Sequence, residues 1–239
     1  MWLLSNKVSI RESGLLEGFM DCHCHLLPGV DDGVQEVKET MQILKLWEQA
    51  GVSEVWLTPH IMEDVPNKTA ELKQRIAELE TFYQGAIKLH LAAENMMDRL
   101  FLDRLAAHDL LTIGKDETRL LVETSYYNPP MDMEWIIDQI RENGYTPILA
   151  HPERYQYMRH EDYGKWKQKG VLLQLNLPSL TGAYGSEVAK KAEMLLDKGM
   201  YDYCGTDTHS MRFVEYFLNS KIAKKTVKKV QEIAARQEL

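Results

Sequence analysis

The chain has 239 residues with 28 Lys and Arg against 36 Asp and Glu, a net charge of −8, which argues against a non-specific nucleic-acid binder because such proteins carry a basic footprint. Hydrophobic residues make up 44%, enough for a sizeable core, and the length fits one large domain or two small ones, with α/β barrels commonly reaching it as one. The 3 cysteines lack framework spacing, no apolar stretch could cross a bilayer, and no basic run precedes an apolar one at the N-terminus, so a cytoplasmic protein without a signal peptide is expected.

Residues 1–17 read as a loosely held N-terminal lead and residues 18–239 as the domain. Short apolar runs predict strands over 18–25, 54–58, 87–94, 119–124, 146–151, 171–176 and 201–207. Amphipathic segments between them predict helices over 36–50, 69–83, 99–108, 133–143, 163–169 and 187–198. Gly51, Gly144, Gly170 and Gly199 each follow a predicted helix, where a C′ glycine belongs. Near the end, Lys221, Lys224, Lys225, Lys228 and Lys229 read as the solvated face of a last helix whose apolar side is Ile222, Val227, Val230 and Ile233.

Strands alternating with helices imply parallel pairing with right-handed crossovers, in a closed barrel or a doubly wound open sheet. Polar residues favour the barrel. His23 and His25, His60, Glu94, Glu123, His151, and Asp207 with His209 all fall at or just past the C-terminal end of a predicted strand. A barrel gathers those ends on one rim, whereas an open sheet gathers only those near its switch point.

Five of the 8 histidines therefore sit in short motifs: Asp21-Cys22-His23-Cys24-His25, Thr58-Pro59-His60, Ala150-His151-Pro152-Glu153-Arg154-Tyr155 and Thr206-Asp207-Thr208-His209. Neutral imidazoles mixed with carboxylates are the ligand set of hydrated catalytic divalent ions. Buried carboxylates crowded together would repel unless cations neutralised them. His23 and His25, two apart on a strand, point to one face; Cys22 and Cys24 are expected to face the other way as small buried residues. His90, His108 and His160 are assigned to surface or packing. A thiolate phosphatase would need Cys-x5-Arg, but Pro28, Val30 and Ser210 stand at the required positions, and no phosphate-binding Gly-x4-Gly-Lys-Ser/Thr loop is present. Tyr126, Tyr127 and Tyr155 lie beside the predicted rim, as ordinary rim packing or as contacts for a substrate ring.

The motifs resemble the polymerase-and-histidinol-phosphatase (PHP) superfamily of metal-dependent phosphoesterases, from about Phe19 to about His209. The stretch from His23 through Asp31-Asp32-Gly33, with Ala92-Ala93-Glu94, Val122-Glu123-Thr124-Ser125, the His151 motif and Gly205-Thr206-Asp207-Thr208-His209, resembles the bacterial tyrosine-protein phosphatases of capsular and exopolysaccharide loci, the CpsB/YwqE type. That resemblance implies a distorted seven-stranded (β/α) TIM-like barrel and three divalent metal ions, manganese or iron, with zinc and magnesium as alternatives. It also implies, as partner, a phosphotyrosine-bearing bacterial tyrosine kinase that regulates polysaccharide synthesis and export; the acidic balance and the lack of a bilayer-spanning apolar stretch predict no nucleic-acid partner and no membrane insertion.

Carried over motif by motif, His23, His25, Glu94 and Asp207 would hold one ion. Glu94 would share a second with Glu123 and His151, and Asp32, His60 and His209 would hold the third. Arg154 matches the family's arginine after the fourth motif. Arg212 is the nearest candidate for a second arginine, and Asp207 a candidate acid. Three ions and four carboxylates leave about +2 by formal charge, enough to attract a phosphate dianion despite the acidic surface. The alternatives are a small-molecule phosphomonoesterase of the same superfamily, a nuclease of the same superfamily, and a non-catalytic metal-binding regulator.

Overall fold

Strand followed by helix recurs through the chain, and most strand ends on the helix side fall near one of the polar motifs. The computed structural model describes residues 6–237 and residue 239, so residues 1–5 of the lead lie outside the described residues. The strands are β1 (Lys7–Ser9), β2 (Met20–Cys24), β3 (Glu54–Leu57), β4 (His60–Ile61), β5 (Lys88–Leu91), β6 (Glu94–Met96), β7 (Arg119–Glu123), β8 (Thr146–Ala150), β9 (Leu172–Asn176), β10 (Tyr203–Gly205) and β11 (Lys221–Ala223). The helices are α1 (Val37–Ala50), α2 (Thr69–Phe82), α3 (Arg99–Ala107), α4 (Met133–Glu142), α5 (His160–Gln168), α6 (Ser186–Asp197), α7 (Met211–Asn219) and α8 (Lys224–Ala234).

Parallel pairing holds throughout the two larger sheets, as the helical crossovers require. One has six strands in the order β10-β9-β8-β7-β6-β4, the other three in the order β2-β3-β5. The chain bends from one sheet into the other just past the predicted strand over 54–58 and again within the one over 87–94. Pro59, which has no N–H to give a ladder, separates β3 from β4. β5 follows β3 and β6 follows β4, with Ala92-Ala93 at the matching break. Between β2, an edge of the three-stranded sheet, and the segment after β10, an edge of the six-stranded one, Asp207 N–H donates to the His23 carbonyl at 2.7 Å and His25 N–H to the Thr208 carbonyl at 2.9 Å. The result is a mixed α/β domain whose parallel strands curl.

Two-residue periodicity splits the strand side chains between two cores. Leu120 and Val122 of β7, with Leu149 of β8, join the large core that also takes Ile43, Leu44 and Trp47 of α1. Leu121 and Ile148, on the other face, join Cys22, Trp56, Ala92 and Tyr203 in a smaller cluster fed by strands of both parallel sheets. Such burial contributes about 1.5–3 kcal/mol per large side chain before chain entropy is counted.

The lead differs from expectation. From Lys7 it is built into the fold: β1 pairs antiparallel with β11, and Ile10, Leu15 and Leu16 are each only 2% exposed. Helix α7 is absent from the predicted elements. At nine residues its buried stripe is only Val214, Phe217 and Leu218, too short a repeat to separate a helix from a loop. Among the described residues no helix is long and apolar enough to cross a membrane.

Candidate metal centre

The centre forms where the strands end. A register shift in β2 between Asp21 and Cys24 turns His23 and His25 inward together, with their Nε2 atoms 3.1 Å apart. It also divides the cysteines: Cys22 lies in the small cluster and Cys24 in the large core, so they do not share a face as expected. All three cysteines are free and buried.

Glu94 opens β6 and brings Oε2 to 3.1 Å from His23 Nε2 and 3.3 Å from His25 Nε2. Asp207, just past β10, brings Oδ1 to 3.5 Å from both nitrogens. His60, at the start of β4, faces two ways. Its Nδ1 is 3.2 Å from Glu94 Oε2 and 3.0 Å from Glu123 Oε1, while its Nε2 is 3.5 Å from Asp32 Oδ1. His209 Nε2 is also 3.5 Å from Asp32 Oδ1, and His151 Nε2 is 2.8 Å from Glu94 Oε1. All nine residues expected as ligands thus converge. Eight of them fall into three overlapping groups able to hold a cation: His23, His25, Glu94 and Asp207; His25, Asp32, His60 and His209; and His60, Glu94 and Glu123. The grouping departs from the expected one in that His25 and His60 each belong to two groups and His151 approaches Glu94 without completing a group.

The backbone is bent to present these groups. His151 (φ 35°) and Asp207 (φ 52°) adopt the left-handed conformation directly after their strands. For residues other than glycine this is strained and is tolerated where the surroundings over-determine it.

Whether these residues fit metal can be judged from their unmet atoms. Glu94 Oε2, Glu123 Oε1, His60 Nδ1 and His151 Nδ1 are buried without a hydrogen-bond partner among the described residues. Glu94 Oε2 has three imidazole nitrogens nearby, none in hydrogen-bond geometry. Ligands about 2.0–2.2 Å from one ion lie roughly 3–3.5 Å from each other, matching these separations. Burial pushes the His23 and His60 imidazoles down, yet the carboxylates outweigh it and lift them to about 9 and about 10, with Glu94 the largest electrostatic contributor to both. Glu123 is pushed up, first by burial and then by Glu94. A cation removes this conflict, so the residues fit divalent metal.

Several supporting residues were not among the expected ligands. Gln174 Oε1 accepts from His23 Nδ1 at 3.1 Å and from His151 N–H at 3.3 Å. Asp31 Oδ2 accepts from His25 Nδ1 at 2.8 Å and His60 N–H at 3.0 Å. These bonds fix the tautomer that leaves each Nε2 lone pair free for metal. Asp21, fully buried, instead accepts from Thr206 and ties β2 to the end of β10.

A cavity of about 360 Å³ opens onto the cluster, lined among others by His60, Glu94, Arg154, Asp207, His209 and Tyr184. Arg154 Nη1 donates to Asp207 Oδ2 at 2.8 Å, and Asn176 Nδ2 donates to the same oxygen at 2.7 Å. Asp207 therefore uses one oxygen in the cluster and the other as an acceptor. His23 and then His209 hold its carboxyl well below the usual range against the upward push of burial, so it is not poised as an acid. Arg212 is exposed in the first turn of α7 and does not line this cavity, so the second expected arginine is not brought to the cluster. Tyr126 lines the cavity, Tyr155 is buried with its hydroxyl accepting from Thr124 N–H at 3.2 Å, and Tyr127 is exposed outside it. A larger cavity of about 540 Å³, among Met20, Glu54 and Arg119, lies at the N-terminal ends of the strands, away from the cluster.

The chain is similar in sequence to known proteins. Over 200 residues, 81% of this chain and 78% of the other, the chain is 24% identical to the tyrosine-protein phosphatase YwqE of Bacillus subtilis. Over 203 residues, 80% and 83% of the two chains, it is 23% identical to the tyrosine-protein phosphatase CpsB of Streptococcus pneumoniae. Its fold is similar to a chain among the crystal structures of YwqE from Bacillus subtilis and CpsB from Streptococcus pneumoniae, described as unique metal-dependent tyrosine phosphatases. The TM-score is 0.76 at 22% identity, covering 92% of this chain and 88% of that one. The model of the family described as "Capsular polysaccharide synthesis, CpsB/CapC" matches residues 19–237, and the chain belongs to that family.

Proposed function

We propose that this chain is a cytoplasmic, metal-dependent phosphoric monoester hydrolase that removes phosphate from phosphotyrosine on a bacterial tyrosine kinase regulating capsular or exopolysaccharide synthesis. The observation that carries the reading is the convergence of nine histidines and carboxylates, four of them with a buried polar atom that has no hydrogen-bond partner among the described residues, beside the partly free Arg154. The relatives' names supply the substrate class. The finer fold reading is a distorted seven-stranded barrel, in which β3 with β4 and β5 with β6 each count as one bent strand. The hydrogen bonds of Asp207 and His25 across to β2 and Thr208 support that closure.

Three divalent ions, manganese or iron, are the cofactors of this reading. His23, His25, Glu94 and Asp207 would hold the first, Glu94, Glu123 and His151 the second, and Asp32, His60 and His209 the third. Bound there, they supply the charge that draws in a phosphate dianion and lower the pKa of an attacking water toward neutrality. The chain's own part is positional. Arg154, held by Asp207, offers its remaining N–H donors to the equatorial phosphoryl oxygens. Asp207, bound on both oxygens, acts as ligand and anchor. The leaving phenolate, with a pKa of about 10, needs less acid assistance than an alkoxide.

The test is turnover of a phosphotyrosine peptide by chelator-stripped protein, with and without Mn²⁺, beside a phosphoserine peptide and histidinol phosphate. Metal-dependent turnover selective for phosphotyrosine is expected. Turnover confined to histidinol phosphate would overturn the substrate assignment, and none on any ester despite bound metal would overturn the enzyme reading.

A further inference from the structure

Arg154 is an unusual cation for a buried site. Its side chain is only 17% exposed, yet among the described residues Asp207 is its one hydrogen-bond acceptor. What surrounds it instead is aromatic. Its guanidinium carbon lies 4.3 Å from the ring centre of Tyr126 and 4.2 Å from that of Tyr184. Tyr126 packs on the rings of His151 and Tyr155 and Tyr184 on that of Phe213, so each meets the guanidinium as a separate contact. Both rings line the cavity over the metal cluster.

The two tyrosines come from separate parts of the fold. Tyr126 follows β7, three residues past Glu123, and its carbonyl accepts from Gln156 N–H at 2.7 Å. Tyr184 stands in the turn between β9 and α6, where Gly182 (φ 83°) and Gly185 (φ 94°) adopt left-handed conformations that a side chain would oppose. Its hydroxyl accepts from Asn176 Nδ2 at 3.3 Å, and the same nitrogen donates to Asp207 Oδ2. Tyr184, Asn176, Asp207 and Arg154 therefore form a closed ring of contacts.

The geometry points to Tyr126 and Tyr184 as positioning residues that clamp Arg154 between two aromatic faces and keep its free N–H edge turned to an anionic phosphoryl group in the cavity. A guanidinium attracts an aromatic face and stacks on it, as an ammonium does less well. Ring faces cannot accept the in-plane N–H bonds, so the clamp fixes the cation without consuming the donors that a phosphate needs. Without the clamp, a long side chain with one anchor would swing and spend its donors on water. This rests on the phosphomonoesterase reading, and it names two residues that the ligand motifs do not contain.

The experiment compares Tyr184→Phe, Tyr184→Leu and Tyr126→Leu in the metal-loaded full chain. Inorganic phosphate affinity is measured by calorimetry and aryl phosphate turnover by kcat and KM, with metal content and Tm as controls. Tyr184→Leu and Tyr126→Leu should each weaken phosphate binding on the order of tenfold with metal content unchanged. Tyr184→Phe, which keeps the ring, should stay within about threefold of the parent. In an Arg154→Ala background, Tyr184→Leu should add no further loss, because its effect acts through the arginine. Phosphate affinity unchanged by either leucine variant, or a loss that adds in full on Arg154→Ala, would overturn the clamp. If Tyr184→Leu does not fold, Tyr126→Leu and its own cycle with Arg154→Ala decide the question. A parent protein that binds phosphate but hydrolyses no aryl ester would sink the phosphatase reading and leave the clamp to be judged by the affinities.

Discussion

His23 Nε2 faces His25 Nε2 across 3.1 Å, while Gln174 accepts from the far nitrogen of the first ring and Asp31 from that of the second. Two lone pairs pointed at each other are held in place from behind. The arrangement is stable only with a cation between them or a proton on one of them. Removing an outer partner frees the ring to rotate or change tautomer. Gln174→Leu and Asp31→Asn should therefore each weaken metal retention by roughly 10–100-fold, and His23→Ala by more. Elemental analysis after chelator challenge, read against the melting temperature, checks this. Unchanged metal content in Gln174→Leu would mean that the ring is positioned by packing alone.

Most of the converging residues were legible in the sequence because they sit at or just past the end of an apolar strand run, where a two-residue period fixes the face; Asp32, in the loop after β2, was legible only through the family resemblance. The supports were not. Gln174 and Asn176 lie within β9, where an amide looks like any polar interruption until its partner 151 residues away, His23, is known. Tyr184 lies in a glycine-bounded turn with no periodicity to interpret. The bend from β3 into β4 is marked by Pro59, but the matching break at Ala92-Ala93 follows only from its neighbour strand. Asp31, the neighbour of Asp32 in the Asp-Asp pair, is the hydrogen-bond partner of His25, a role that no motif spacing specifies.

The metal-free protein should respond to pH in a particular direction. Glu94 and Asp207 hold the folded His23 imidazole at about 9, against an ordinary 6.5, and His60 rises to about 10. A histidine raised on folding stabilises the native state fully below 6.5 and loses that contribution as pH climbs through the folded value. Metal-free protein should therefore melt at falling temperature as pH rises from about 6.5 through about 9. Added Mn²⁺ should restore stability most at the alkaline end, because binding displaces those protons. Thermal melts across that range with and without the ion test it. A metal-free melting temperature that rises over the interval would contradict the assignment.

The N-terminal segment offers a stability test independent of metal. Ile10, Leu15 and Leu16 are buried, and β1 covers β11. Deleting residues 1–17 removes three apolar side chains worth about 1.5–3 kcal/mol each, partly offset by the chain entropy no longer lost. A net loss of about 4 kcal/mol would lower the melting temperature by on the order of 10 °C in a chain of this size. A truncated protein that melts with the parent would show that the segment packs without contributing stability.

Arg154 and Arg212 separate two kinds of expectation. Both follow histidine motifs, and both fit a family with two arginines. Arg154 follows the left-handed turn at His151, which directs it back over the cluster to Asp207. Arg212 begins α7, whose buried stripe of Val214, Phe217 and Leu218 faces the core and leaves position 212 in solvent. Arg154→Ala should cost about 100-fold in kcat on an aryl phosphate, as loss of a charge-stabilising donor does elsewhere. Arg212→Ala should stay within about threefold, as a surface change does. If Arg212→Ala instead lost activity comparably while Arg154→Ala did not, α7 would have to turn inward when substrate binds, and the cavity seen here would not be the working one.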